Sequence, residues 1–143
     1  MSPVEKEILR KKLALIIENL KALEPIGNMT REEYIGDFYK RKATERLLQE
    51  LIEAAVDINT HIIVQTGNAV PDDYYESFTL AGNLKIIPEE LAEKLAPSAG
   101  LRNRLVHEYD SLDHVVVLNA VRTAEKLYPE YVKEVESYIK KDS

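Results

Sequence analysis

The feature of this sequence that most restricts its fold is a helical period that runs through long stretches and never gives way to strand alternation. Val4, Ile8, Leu9, Leu13, Ile16, Leu20 and Leu23 recur at helical spacing and form one stripe. Ser2-Pro3-Val4-Glu5 opens that stretch as a capping box. The Ser2 hydroxyl can accept from the N–H of Glu5, the Glu5 carboxylate can reach back, and Pro3 takes the first helical position. Pro25 and Gly27 are expected to close it. Leu13 to Ile17 are apolar beyond a narrow stripe. That pattern fits a helix with one face on the core and another on a second subunit, and equally a helix buried between two neighbours.

Thr30-Arg31-Glu32-Glu33 is a second capping box, opening a stretch in which Tyr34, Phe38, Ala43, Leu47, Leu51, Ala55, Ile58 and Ile62 keep the period to about Thr66. Gly36-Asp37 is placed to break its first turn, since Gly is a poor interior helix residue and Asp a good N-cap. Gly67 through Pro71 reads as a loop, after which Asp72 or Asp73 caps a short helix through Tyr75, Phe78 and Leu80 that ends near Gly82-Asn83. Pro88 then takes an N1 position, and Leu91, Leu95, Leu101 and Leu105 carry an apolar face forward. Pro97 inside that segment predicts a kink or a fresh start. The last segment, from about Asp113 to Ile139, sets Val116, Ala120, Ala124, Leu127, Tyr131, Val135 and Ile139 on one side, with a bend expected at Pro129. These elements predict an all-α chain: one domain over residues 1–143, folded as an up-down antiparallel bundle of about five helices.

Composition narrows the function. The absence of cysteine excludes disulfides and thiolate-bound metals. A formal charge of −6 argues against coating nucleic acid through bulk electrostatics, so any RNA contact must be local or borrowed from a partner. No apolar run approaches the roughly 18 residues of a membrane span, and the N-terminal residues lack a basic and apolar leader; a cytoplasmic protein is the expectation. There is no P-loop, glycine-rich dinucleotide turn, nucleophile elbow or zinc-binding His-Glu-x-x-His.

Of the three histidines, only His107 lies in a cluster of polar residues at helical spacing. Asn103, four residues before it, and Arg104, three before it, share its side of a helix. Arg102 is five positions away and points about 140° around the axis. It can meet His107 only through its long reach, a loosened helix end, or a second copy of the motif across a dimer. Cleaving RNA without a metal requires a base for the 2′-hydroxyl, an acid for the leaving oxygen and a cation for the phosphorane. Imidazole can serve as base or acid near neutral pH, and guanidinium forks onto phosphate oxygens. One His cannot hold two protonation states at once, so two motifs paired by a two-fold axis would complete an acid–base site. The same spacing also fits polar residues decorating a helix C-terminus, with Arg104 paired to Glu108.

The stretch Gly100-Leu101-Arg102-Asn103-Arg104-Leu105-Val106-His107-Glu108-Tyr109 resembles the Arg, four residues, His, any residue, Tyr signature of the HepT-like branch of HEPN proteins. Upstream, Glu45-Arg46-Leu47-Leu48-Gln49 followed by Asp57-Ile58 and His61-Ile62-Ile63 is similar to that family's second helix, and Tyr74 to Glu93 to its connecting segment. The resemblance implies a homodimeric helical endoribonuclease that acts as a toxin, and no metal or other cofactor is expected. It implies catalytic roles for Arg102 and His107, with the polar Asn103 beside them. It further implies a minimal nucleotidyltransferase antitoxin of the MntA kind that attaches AMP to Tyr109. The alternative is a non-catalytic helical module that binds a nucleotidyltransferase.

Three further features invite a role. Asp57 and His61 share a face of the second long helix, where a carboxylate could pair with Arg102 or orient His107, or simply form a pair at the bundle edge. Lys40-Arg41-Lys42, with Arg46 one turn on, could guide an RNA backbone, receive an acidic partner, or form a solvated helix face. His114 lies seven residues past His107, but Asp110-Ser111-Leu112-Asp113 interrupts the helix between them, so no metal site is expected.

Overall fold

The structure, a computed structural model, describes residues 1–142. These form seven helices: α1 (Pro3–Gly27), α2 (Arg31–Ile35), α3 (Phe38–Gln65), α4 (Tyr74–Asn83), α5 (Glu89–Leu95), α6 (Ser98–His107) and α7 (His114–Lys141). The expected count of about five rises to seven because two breaks are complete. After Gly36 the chain restarts at Asp37, whose carboxylate accepts from the Lys40 N–H at 3.0 Å. Pro97 is the N-cap residue that separates α5 from α6. Both predicted capping boxes form: Ser2 and Glu5 exchange bonds of 2.7 and 3.1 Å, and Thr30 and Glu33 bonds of 2.9 and 3.2 Å.

Two prolines lie inside helices. Pro25 lies in the last turn of α1, which ends at Gly27 as expected. Pro129 lies within α7 without ending it. Burial on both sides, by Val121, Ala124 and Tyr128 before it and Tyr131, Val135 and Ile139 after it, offsets the one missing backbone bond. Pro88 is an N-cap residue rather than the first residue of its helix.

Three elements carry most of the bundle. α1 lies antiparallel to α3, as the cross-links Lys12 to Asp57 and Asn19 to the Leu47 carbonyl require. It also runs antiparallel to α7, where Arg10 meets Glu136 and Arg122 donates to the Gly27 carbonyl. α3 packs on its other sides against α4 and α6. Gly82 lets α5 close on α4, because a Cβ there would sit 2.6 Å from the Ala92 Cβ. One core joins all of this: Leu9, Leu13, Ile16 and Leu23 of α1 meet Leu51, Ile52, Ile58 and Ile62 of α3 and Val117, Leu118 and Val121 of α7. No helix among the described residues is long and apolar enough to cross a membrane.

Several predicted stripe residues are outside this core. Val4 is 66% exposed, Ile8 44% and Leu15 37%, and these three share a side of α1 that nothing among the described residues covers, while Ile17 is open on the opposite side. Phe38, Ala43 and Val116 are exposed as well. Leu48 and Val117, each one residue past a predicted position, are buried instead of Leu47 and Val116, while the predicted Leu51, Ala55, Ile58 and Ile62 and Ala124, Tyr131, Val135 and Ile139 are buried as expected.

One buried polar contact fixes α7 against α3. The Tyr131 hydroxyl donates within reach of the Ala55 carbonyl at 3.0 Å and of Asn59 Oδ1 at 2.6 Å, and both Tyr131 and Asn59 are fully buried. Burial pushes the Tyr131 hydroxyl well above the usual phenol range, so it stays a donor. Tyr131→Phe leaves the Asn59 oxygen without its partner and is expected to lower stability by about 1–3 kcal/mol. Urea denaturation measures this, and an unchanged midpoint would show that the contact does not hold the two helices together.

Candidate active site

α6 is anchored from its inner side. Leu101 and Leu105, four residues apart, are buried. At its start the Ser98 hydroxyl meets the Tyr128 hydroxyl at 3.0 Å, and burial raises Tyr128 above the normal phenol range. With two leucines fixing the inward face, the polar residues 102, 103, 104 and 107 must point along the flanks or outward.

Arg102 takes the flank beside α3 and α4, and it is held on two sides. Its Nε and Nη2 donate to Glu53 Oε2 at 3.0 and 2.8 Å, and its guanidinium carbon lies 4.6 Å from the centre of the Tyr74 ring. The side chains of Arg102 and Glu53 keep 20% and 29% of their exposure, so the pair is partly desolvated yet reachable. Because Nε and Nη2 face Glu53, the fork formed by Nη1 and Nη2 retains free N–H groups for a phosphate.

His107 is the last residue of α6, exposed, and among the described residues no hydrogen bond or ion pair holds its ring. Asn103 is exposed one turn before it. α6 is continuous from Arg102 to His107, so the two side chains leave the axis about 140° apart and do not meet within one chain. Tyr109 follows in the loop after the Glu108 C-cap, 62% exposed. Arg104 is exposed and forms no pair with Glu108 or any other carboxylate among the described residues. It borders an apolar cavity of about 280 Å³ between α6 and α7, lined also by Leu48, Leu101, Ala120, Leu127 and Tyr128; neither Arg102 nor His107 reaches it.

Asp57 and His61 take no part in this arrangement. Asp57 pairs with Lys12 at 3.1 Å, and His61 Nε2 lies 3.8 Å from Glu5. The carboxylate that meets Arg102 is Glu53, one turn earlier on the same helix. Sequence reasoning missed both Glu53 and Tyr74, because the contacts join residues 49 positions apart or on separate helices. The available signal was that Glu53 shares a flank with Asp57. Among the described residues no group of three or more His, Asp and Glu side chains could hold a metal ion.

The family model described as ribonuclease HepT-like matches residues 16–136. A tRNA nuclease HepT from Aphanizomenon flos-aquae is 40% identical over 139 residues, spanning 97% of this chain and 95% of the relative. An mRNA nuclease HepT from Shewanella oneidensis is 29% identical over 116 residues, spanning 81% and 86%. Among solved structures, a tri-AMPylated Shewanella oneidensis HEPN toxin in complex with an MNT antitoxin superposes with a TM-score of 0.82 at 26% identity, covering 96% of this chain and 99% of that one. With the matched segment spanning most of the sequence and the Arg102 to Tyr109 signature intact on α6, the chain belongs to the ribonuclease HepT-like family.

Proposed function

We propose that this RNase is a metal-independent endoribonuclease and the toxin half of a toxin–antitoxin pair, silenced when a cognate MntA-like nucleotidyltransferase attaches AMP to Tyr109. The observation that carries the reading is the contrast on α6: a guanidinium held by Glu53 and Tyr74, and an imidazole left unpartnered at the helix end. Catalysis of phosphoryl transfer rewards cations fixed before the charge develops, and acid–base groups free to exchange protons. Arg102 stabilises the phosphorane charge, His107 serves as general base or acid, and Asn103 positions the substrate beside it.

The 140° offset places these groups in one site when two copies of the chain pair. The open apolar face of α1, with Val4, Ile8 and Leu15 exposed along one side, supports a homodimer. Pairing supplies the second imidazole that an acid and a base together require. Sedimentation of a fully active monomer would rule out this shared site.

Tyr109 suits a switch because its hydroxyl is exposed two residues from His107. Each AMP adds bulk and negative charge where an RNA phosphate must approach. Arg104 is a supporting residue: its unpaired charge lies three residues from His107 on the same side of α6.

His107→Ala is expected to slow RNA cleavage by ~10² to 10⁴-fold, and EDTA to leave the wild-type rate unchanged. Cleavage at full rate by that variant would instead support a binding module without catalytic activity. Glu53→Ala frees the Arg102 side chain to wander, and is expected to reduce kcat/KM by ~10 to 10²-fold with the fold intact by circular dichroism. An equal or faster rate would show that Glu53 only restrains the cation. Intact mass after co-expression with the neighbouring nucleotidyltransferase should rise in steps of one AMP, and Tyr109→Phe should abolish the steps. Additions that persist in Tyr109→Phe would place the modification elsewhere.

A further inference from the structure

The N-terminal turn of a helix carries partial positive charge and favours carboxylates, while cations belong at the other end. α3 reverses this. Its first turn holds no acidic residue, and Lys40, Arg41 and Lys42 crowd the positive end of a 28-residue helix. Lys42 reaches Glu45 at 3.5 Å and Arg41 donates to the Ile35 carbonyl. Lys40 is exposed and has no ion pair among the described residues.

Aromatic rings are interleaved with these cations. Tyr39 is 84% exposed and Phe38 56%, and the two rings meet edge to face at 5.8 Å. The Arg41 guanidinium and the Lys42 ammonium lie 5.6 and 5.7 Å from the Phe38 ring centre. Phe38 is thus the support that holds the cations in place, and Tyr39 presents an open ring to solvent. Two water-exposed rings and three cations at a helix start disfavour this corner in the isolated chain, and an anionic, flat-faced ligand would relieve both defects.

The corner is also aligned with Arg102. Seven residues bring a helix within about 20° of two full turns, so Tyr39, Arg46 and Glu53 run in a line along the outer side of α3. That line ends at the carboxylate holding Arg102. At ~1.5 Å per residue, Tyr39 lies roughly 21 Å from Glu53, a distance that a few unstacked nucleotides span. Arg46 lies between them, exposed and paired with Glu50 at 3.1 Å.

We propose that the Phe38 to Lys42 corner is a single-stranded RNA platform: one base stacks on Tyr39, the adjoining phosphates rest on Lys40 and its neighbours, and the strand runs along α3 to Arg102. The proposal rests on the nuclease reading of the Arg102 and His107 site. Ile35, 40% exposed, is the next open apolar side chain before the rings, and the run Lys40-Arg41-Lys42 follows directly after them, so charge and ring faces rather than a broad apolar area dominate the corner. Every base has a π face, so the platform binds RNA with little regard to sequence and lengthens the required substrate on one side of the cut.

Binding is measured by fluorescence anisotropy of a labelled single-stranded RNA, in the His107→Ala background so that no strand is cut. Tyr39→Phe keeps the ring and should bind as the parent does; Tyr39→Ala should bind roughly 5 to 150-fold more weakly, the loss of one stacked base. Lys40→Ala should reduce the slope of log affinity against log salt by about 0.7. Equal RNA affinity in Tyr39→Ala would overturn the proposal. So would unaltered RNA binding accompanied by loss of dimer or of antitoxin association, which would make the corner a protein contact. If protein retaining His107 cuts no RNA while Tyr39→Ala still weakens RNA binding, the platform stands and the nuclease assignment of α6 fails.

Discussion

The buried contact between Tyr131 and the Ala55–Asn59 turn sets the register on which the rest of the bundle depends. Apolar stripes tolerate sliding by a turn, because one leucine replaces another at little cost. A buried amide and a phenol do not, since each loses a partner it cannot regain from water. Fixing α7 to α3 at that point aligns the apolar residues on both sides of Pro129 with α1 and α3, and so carries α7 through a residue that would otherwise stop it. The same alignment brings Tyr128 to Ser98, which seats the start of α6.

From there the geometry of α6 is largely determined. Ten residues make fewer than three turns, and Leu101 and Leu105 take the inward face. What remains is one flank against α3 and α4, one against α7, and the outward side. Arg102, Arg104 and His107 fall on these three in turn. The held arginine is therefore a product of packing on both of its neighbours: Glu53 comes from a helix whose opposite face is core, and Tyr74 from the first residue of α4, capped by Asp73.

The net charge of −6 stands against a protein that must receive phosphates, yet the carboxylates along the outer side of α3 are already engaged. Glu50 binds Arg46, Glu53 binds Arg102 and Asp57 binds Lys12. The more exposed pairs, Arg46–Glu50 and Lys12–Asp57, contribute little to stability, but all three cancel the local field over distances shorter than the Debye length. An approaching strand meets a neutral track whose start carries Lys40, a cation with no ion pair among the described residues.

Much of this was legible from the residues in order. Capping boxes at Ser2 and Thr30, the breaks at Gly36 and Pro97, and the helix end before Asp110 are local chemistry, and each element boundary they predicted formed within a residue or two. The family resemblance rested on a contiguous signature and needed no contacts. Choices between adjacent turns were not legible. Leu47 and Leu48, Val116 and Val117, Asp57 and Glu53 differ by which neighbour arrives, and that is decided by residues 28 to 76 positions away. The prolines at 25 and 129 show the same limit: both are exposed, and the buried residues beside them, Leu23 and Ile26 in α1 and Tyr128 and Tyr131 in α7, hold the helix through a residue that would break it in isolation.

The offset between Arg102 and His107 then becomes informative. A helix with its side chains is about 10 to 12 Å across, so groups 140° apart on its surface cannot both touch one phosphate without the chain bending around it. α6 does not bend: it is helical throughout the interval, and Arg102 is committed to the α3 flank by two hydrogen bonds. Under the nuclease proposal, the remaining way to bring a guanidinium and an imidazole to the same phosphate is a second copy of α6 facing the first. A two-fold axis near the helix ends would do this twice at once, setting the two His107 rings of the pair as acid and base around a single scissile bond.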